Sequence, residues 1–323
     1  MRKVMAAVAF AAIAAAGGPG SGAFAQGYPS QNIRMLVPYG GGGPSDIIAR
    51  VLAESLTTSL GQTVFVENKT GAAGRIAMND LLSKPKDGHT IHQCSYIDAN
   101  NTVVLKTPGY KLEDIAPITL VSKSYYAFTV SNKIPANSLP EFIRYAKSRD
   151  GQLNYGRVGP GGITELLVKQ FEHLAGFKSA GVTFRGTHEA LQEMMAERLD
   201  FVIGPINLSM PLHEAKKVKV LAMTSPERLT VAPDVPTFLE QQIQIMNFGW
   251  WGLCAATGVA QPILDQLNKH TIAAVNRDYY QTVMSRNGMI AATSTPDEIR
   301  RVMVETADST GKLMRELNLP QID

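Results

Sequence analysis

The chain has 323 residues, 31 basic and 28 acidic, and a net charge of +3. That near-neutral balance excludes the strongly basic surface of a nucleic-acid binder and gives no sign of membrane attraction. Two cysteines and six histidines without metal-ligand spacing exclude a metal centre of the usual kind, and the length suggests about two domains with room for buried cores.

Taken in order, the N-terminus comes first. Arg2 and Lys3 precede an unbroken apolar run, Val4 to Ala16, which Gly17 to Gly22 terminate. Ala23-Phe24-Ala25 has the small-x-small form of a cleavage site. Residues 1–25 are therefore expected to be a secretory signal peptide. The run has 13 residues and a bilayer needs about 20, so it is too short for an anchor. Cleavage leaves 29 basic against 28 acidic residues, a net charge of +1.

Ile33 to Val37 reads as a strand. Pro38 to Asp46 is a glycine-rich turn, and Ile47, Ile48, Val51, Leu52, Leu56 and Leu60 then recur at helical spacing up to Gly61. Such a turn presents unpaired N–H groups at the positive end of a helix dipole, which attracts an anion. A phosphate loop needs Lys-Ser or Lys-Thr after the glycines, and here Pro44-Ser45-Asp46 follows. A small carboxylate fits better. The competing reading is a surface loop with Ser45 capping the helix.

Val64 to Val66, a helix near Arg75 to Leu82 and Thr90 to Cys94 complete the first segment. The middle segment alternates Tyr125–Val130, a helix from Leu139 capped by Ser138, Leu153–Tyr155, a helix Thr164–Ala175 ended by Gly176, Val182–Phe184, a helix Glu189–Glu197, Phe201–Ile203 and Val218–Met223. Phe248–Ala256 and helices from Pro262 and Pro296 close the chain; Thr295-Pro296-Asp297-Glu298 is a capping box. The alternation predicts an α/β fold with mainly parallel sheets.

A second strand, glycine turn and helix lies at Leu153 to Thr164, with Arg157, Gly159, Gly161, Gly162, Ile163 and Thr164 in or beside the turn. Arg157 offers a bidentate fork for a carboxylate, against the alternative of a surface arginine paired with an acid. The ligand role is favoured. Residues that follow strands are also expected at a ligand cleft: Ser95, Tyr96 and Asn101 in one half, Pro205 and Asn207 in the other. Cys94 and Cys254 sit in strand-like segments and are either buried thiols or an export-compatible bridge.

These residues together resemble a known family, the extracytoplasmic solute receptors of tripartite tricarboxylate transporters (the Bug receptors). Pro38 to Asp46 is similar to its first ligand loop, usually Pro-Phe-Pro-Pro-Gly-Gly-Gly-Thr-Asp. Val64 to Gly74 resembles Val-Val-Glu-Asn-Arg-Pro-Gly-Ala-Gly-Gly, and Asp87 to Thr90 resembles Asp-Gly-Tyr-Thr. Leu221 to Ser225, Arg228 and Pro233 to Thr237 resemble its most specific signature, with Trp251-Gly252-Leu253 and Gly258 further on. The resemblance implies a two-lobed periplasmic-binding-protein fold of the Venus-flytrap type. One lobe would be 26–124 with 247–323 and the other 125–246. It also implies a periplasmic location, no cofactor, no catalysis, a small organic carboxylate as ligand and the transporter's membrane subunits as partner, with the receptor a monomer.

The implied contacts are Tyr39, Gly42, Gly43, Pro44, Ser45 and Asp46 in one lobe and the turn after Arg157 in the other. Departures from the family pattern bear on the ligand. Tyr39 stands for Phe, Arg157 for a small hydroxyl residue, Glu165 for His, and Phe184-Arg185-Gly186 for Tyr-Lys-Gly. With Tyr39, Tyr96 and Phe184 near the cleft, an aromatic or extended dicarboxylate is expected; the alternative for Phe184 is core packing. The competing functions are a receptor that signals to a membrane sensor kinase and a secreted α/β hydrolase. The chain lacks the Gly-x-Ser-x-Gly nucleophile elbow that the hydrolase would need.

Overall fold

The computed structural model describes residues 27–158 and 162–322; the expected signal peptide, Gly159 and Gly161 lie outside them. Strand and helix alternate in the order β1 Ile33–Val37, α1 Pro44–Leu60, β2 Val64–Asn68, α2 Arg75–Leu82, β3 Thr90–Ser95, α3 Tyr96–Val104 and β4 Ile115–Val130. Then come α4 Leu139–Ser148, β5 Leu153–Val158, α5 Ile163–Ala175, β6 Ser179–Phe184, α6 Thr187–Met195, β7 Phe201–Pro205, α7 Ile206–Glu214 and β8 Lys219–Met223. β9 Phe248–Ala256, α8 Gln261–Val275, α9 Asp278–Arg286, β10 Ile290–Ala291 and α10 Pro296–Glu316 follow.

Local chemistry accounts for the ends of these elements. Pro44 starts α1, where a missing N–H costs nothing, and Gly61 ends it in the left-handed region at φ 72°. Thr295 and Glu298 form the expected reciprocal capping box of α10, with bonds of 3.2 and 2.7 Å.

β4 organises the molecule. Its first part pairs antiparallel with β9 as far as Tyr125, opposite Phe248. From Tyr126, opposite Pro205, it pairs with β7, and on its other edge with β8. One strand therefore serves a lobe ordered β2-β1-β3-β9-β4 and a second ordered β4-β7-β5-β6. The sheets are not mainly parallel, as alternation alone suggests. β1, β2 and β3 pair parallel, as do β5, β6 and β7, but every pairing of β4 and β9 is antiparallel. In the first lobe β9 runs against β1–β3 while β4 runs with them, and in the second lobe β4 runs against β5–β7.

Of the two cysteine readings, the bridge is the one found. Cys94 in β3 and Cys254 in β9 are disulfide-bonded, with Cα atoms 5.8 Å apart. The first lobe buries apolar clusters on its sheet, and the second is built round Phe128 of β4. Phe128 meets Phe142, Phe171, Phe201 and Phe238 with ring centroids 4.8 to 6.0 Å away. Edge-to-face packing of this kind adds to the burial energy. Phe128→Ala is expected to cost about 3–5 kcal/mol in a urea titration. A loss below about 1 kcal/mol would show that this cluster does not hold the second lobe together.

Candidate functional site

Between the lobes lies a cleft holding a cavity of about 340 Å³. One wall is Tyr39 after β1, Ala73, the face Tyr96, Ile97, Asn100, Asn101, Val104 and Leu105 at α3, and Ile322. The other wall is Tyr126, Val158, Gly162, Ile163, Thr164, Thr187 and Pro205. No charged side chain occurs among these described lining residues, and no cluster of metal-ligating side chains occurs among the described residues.

The first glycine turn behaves differently from its expectation. Its anion is the chain's own Asp46. Oδ2 of Asp46 accepts the Gly42 N–H at 2.9 Å and Arg50 Nε at 2.8 Å, and Oδ1 accepts Asn68 Nδ2 at 2.9 Å. Arg50 above all, with Gly42 and Asn68, holds the Asp46 carboxyl down at about 2 although burial opposes this. Ser45 is buried too: its hydroxyl accepts Trp251 Nε1 at 2.7 Å and its carbonyl accepts Gln93 Nε2 at 3.0 Å. Gly42, Gly43, Pro44, Ser45 and Asp46 therefore lie outside the cavity lining and shape the turn, and only Tyr39 of this group faces the cavity.

At the second turn, Gly162, Ile163 and Thr164 do line the cavity, at the N-terminus of α5. The Thr164 hydroxyl accepts the Val158 N–H at 3.1 Å and so ties the end of β5 to the helix start. Arg157 does not line the cavity. Alternation along β5 puts it on the side of Tyr155. There it pairs with Glu165, and its Nε donates to Thr183 Oγ1 at 3.0 Å. Of the two readings of Arg157, the pairing with a nearby acid is the one the structure contains. Phe184 likewise takes the packing role, against Ala190, Leu191 and Met194. Arg185 is exposed, with its N–H donating to Glu189 at 3.1 Å. Pro205 faces the cavity, but Asn207 backs onto Gly288 of the other lobe, where a Cβ would overlap it.

The remaining expected residues divide between lining and support. Ser95 is fully buried at the start of α3. Its N–H donates to Asp98 Oδ2 at 2.7 Å, and its Oγ lies 3.1 Å from the Tyr39 hydroxyl. Ser95 thus orients Tyr39 without facing the cavity. Asn101 lines it and donates to the Ala73 carbonyl at 2.7 Å. That bond steadies Ala72 and Ala73, which sit at φ 47° and 53°, a conformation that costs a non-glycine residue about 1–2 kcal/mol. Tyr96 of the first lobe and Tyr126 of the second line the same cavity, and both lie beside Gly249. Gly249 of β9 makes room for both side chains, since a Cβ there would lie 2.9 Å from the Tyr126 hydroxyl and 3.4 Å from Tyr96 Cε1. Burial pushes the Tyr39, Tyr96 and Tyr126 phenols up, so all three stay neutral hydrogen-bonding groups.

Several lining residues were not singled out from sequence, among them Asn100, Val104, Tyr126, Thr187 and Ile322. α3 carried a usable signal, Ser95-x-x-Asp98, the start of a capped helix. Reading it would have put Ile97, Asn101, Val104 and Leu105 on one face. Ile322 has no local signal: it reaches the cleft through a bridge to Leu105.

Two α/β lobes around a cleft that both of them line, with one strand, β4, running through both, define a two-lobed binding protein. Residues 48–319 match the tripartite tricarboxylate transporter family receptor, and the chain belongs to that family. It is a family of substrate-binding receptors, not of enzymes. The chain is 26% identical over 293 residues to protein BugT of Bordetella pertussis, covering 90% of each. It is 26% identical to the solved periplasmic binding protein BugD, with a TM-score of 0.78 over 90% of this chain and 99% of that one. MatC from Rhodopseudomonas palustris, solved with bound malate, is 26% identical with a TM-score of 0.76, over 88% of this chain and 99% of that one. These likenesses agree with the expected two-lobed fold. Among the described residues no helix is long and apolar enough to cross a membrane.

The Asp46 lock has a definite pH signature. Its carboxyl titrates lower in the folded chain than its ordinary value of 3.8, so its contribution is complete above that value and is lost as pH falls through about 2. Asp46→Asn is expected to cost about 1–2 kcal/mol near neutral pH. Urea titrations from about pH 7 down to pH 3 should show the gap to wild type shrinking; a gap constant across that range would contradict the lock.

Proposed function

We propose that this chain is a periplasmic receptor that closes its lobes, 26–124 with 247–323 and 125–246, on a small organic carboxylate. It then delivers the acid to the membrane subunits of a tripartite tricarboxylate transporter. The observation that carries this reading is the cleft itself. Neutral donors from both lobes, phenols on one side and the N-terminus of α5 on the other, converge on one cavity. A helix N-terminus and neutral hydroxyls receive a carboxylate without a counter-cation. MatC, a relative by sequence and fold, carries malate.

Export by a cleaved leader at 1–25 and action as a monomer belong to the same reading. Tyr39 and Tyr96 on one wall and Tyr126 on the other support a flat or extended acid. The Arg157 guanidinium, expected to clamp a carboxylate, is engaged by Glu165.

Calorimetric titration against aliphatic diacids, tricarboxylates, phthalate isomers and simple monoacids tests the reading. At least one acid is expected to bind with one-to-one stoichiometry and to be recovered unchanged. For that acid Tyr96→Phe should weaken binding by about two- to tenfold, the worth of one hydrogen bond. Arg157→Ala should stay within about threefold of wild type, as for a surface ion pair. Turnover of any acid, or a large loss confined to Arg157→Ala, would sink the reading.

A further inference from the structure

The cleft changes character along α3. Tyr96 stands at its first residue, Asn100 and Asn101 a turn later, and Val104 and Leu105 at its end. Tyr96 to Val104 covers eight residue steps, about 12 Å at 1.5 Å each. The far end is closed by Ile322, whose N–H donates to the Val104 carbonyl at 2.9 Å and whose carbonyl accepts the Lys106 N–H at 3.0 Å. Beside it, Val104 packs with Leu166 of α5 and Met314 of α10 in one apolar cluster that spans both lobes. The cleft thus runs from phenols and amides to an aliphatic cap.

The other way out of the cleft is no better for a second charge. A neighbouring cavity of about 230 Å³ shares Tyr96, Asn100 and Ile163 with it, and its one charged lining residue among those described is Glu305. A carboxylate there meets like charge. At the aliphatic end it would lose water with no partner to replace it, which is costly for an ion. Lys106 follows Leu105 but is exposed and outside the lining. The main cavity lies at the small end of the roughly 300–1,000 Å³ range of small-molecule sites, so a chain-like ligand lying along α3 has one end toward Tyr96 and the other toward Val104.

We infer that this receptor selects acids with a single carboxylate and an uncharged hydrocarbon end, the hydrocarbon lying against Val104, Leu105 and Ile322. This rests on the carboxylate reading given above and narrows its ligand class. Ile322 is then a specificity-determining residue: it caps the hydrocarbon end and leaves the polar end untouched.

Hexanoate and adipate test this most cleanly, because they have the same carbon count and differ only at the far end. In calorimetric titrations of the mature chain, hexanoate is expected to bind at least about tenfold tighter than adipate, the ratio that 1.4 kcal/mol produces. Ile322→Lys puts a cation at a half-exposed position of the aliphatic cap. It should shift the ratio toward adipate by about fivefold, as a partly exposed ion pair does. Ile322→Ala, which adds no charge, should weaken hexanoate severalfold and leave adipate unchanged. Adipate binding as tightly as hexanoate or tighter in the wild type would overturn the inference and leave the carboxylate reading standing. Binding of no acid at all would overturn both. Matched ratios in wild type and Ile322→Lys would remove Ile322 from the site.

Discussion

A single continuous strand imposes the main constraint on this molecule. β4 spends its first eleven residues in one sheet and its last five in another. Because its backbone hydrogen bonds are satisfied on both sides of the change, the lobes are joined by ordered strand, not by a loose linker. The change falls between Tyr125 and Tyr126. Tyr126 is therefore the first residue of the second lobe's pairing and also a wall of the cleft, across from Tyr96 of the first lobe in the same cavity.

Charge management follows from this geometry. Both glycine turns stand beside ionisable side chains, Asp46 in one case and the Arg157–Glu165 pair in the other. In each the charge is consumed internally. Asp46 gathers a backbone N–H, a guanidinium and an amide, and so folds the turn around itself. Arg157 and Glu165 fasten the end of β5 to the first turn of α5. The cavity is left with hydroxyl, amide and aliphatic groups. A neutral lining of this kind discriminates by the placement of donors and by shape rather than by net charge.

The fold was legible from sequence because its signals are local. Caps, glycine stops and strand-helix alternation specify most elements without reference to anything distant, as Thr295 and Gly61 illustrate. The site was less so, because face and partner are tertiary facts. Arg157 looks like a ligand clamp until strand alternation and Glu165 are known together. Asp46 looks like part of an anion site until Arg50 and Asn68, 4 and 22 residues away, are seen to close on it. Ile322 could not be found at all, since its place depends on a bridge to Leu105, 217 positions earlier.

The central claim is that a carboxylate is held between the lobes by neutral groups of both. The most direct measurement is a crystal structure of the mature chain with its tightest-binding acid. The expected result places the carboxylate oxygens about 3 Å from donors on both walls, the phenols of Tyr39 or Tyr96 and the first turn of α5, with no cationic side chain in contact. A carboxylate seated on Arg157, or touching one lobe alone, would contradict it.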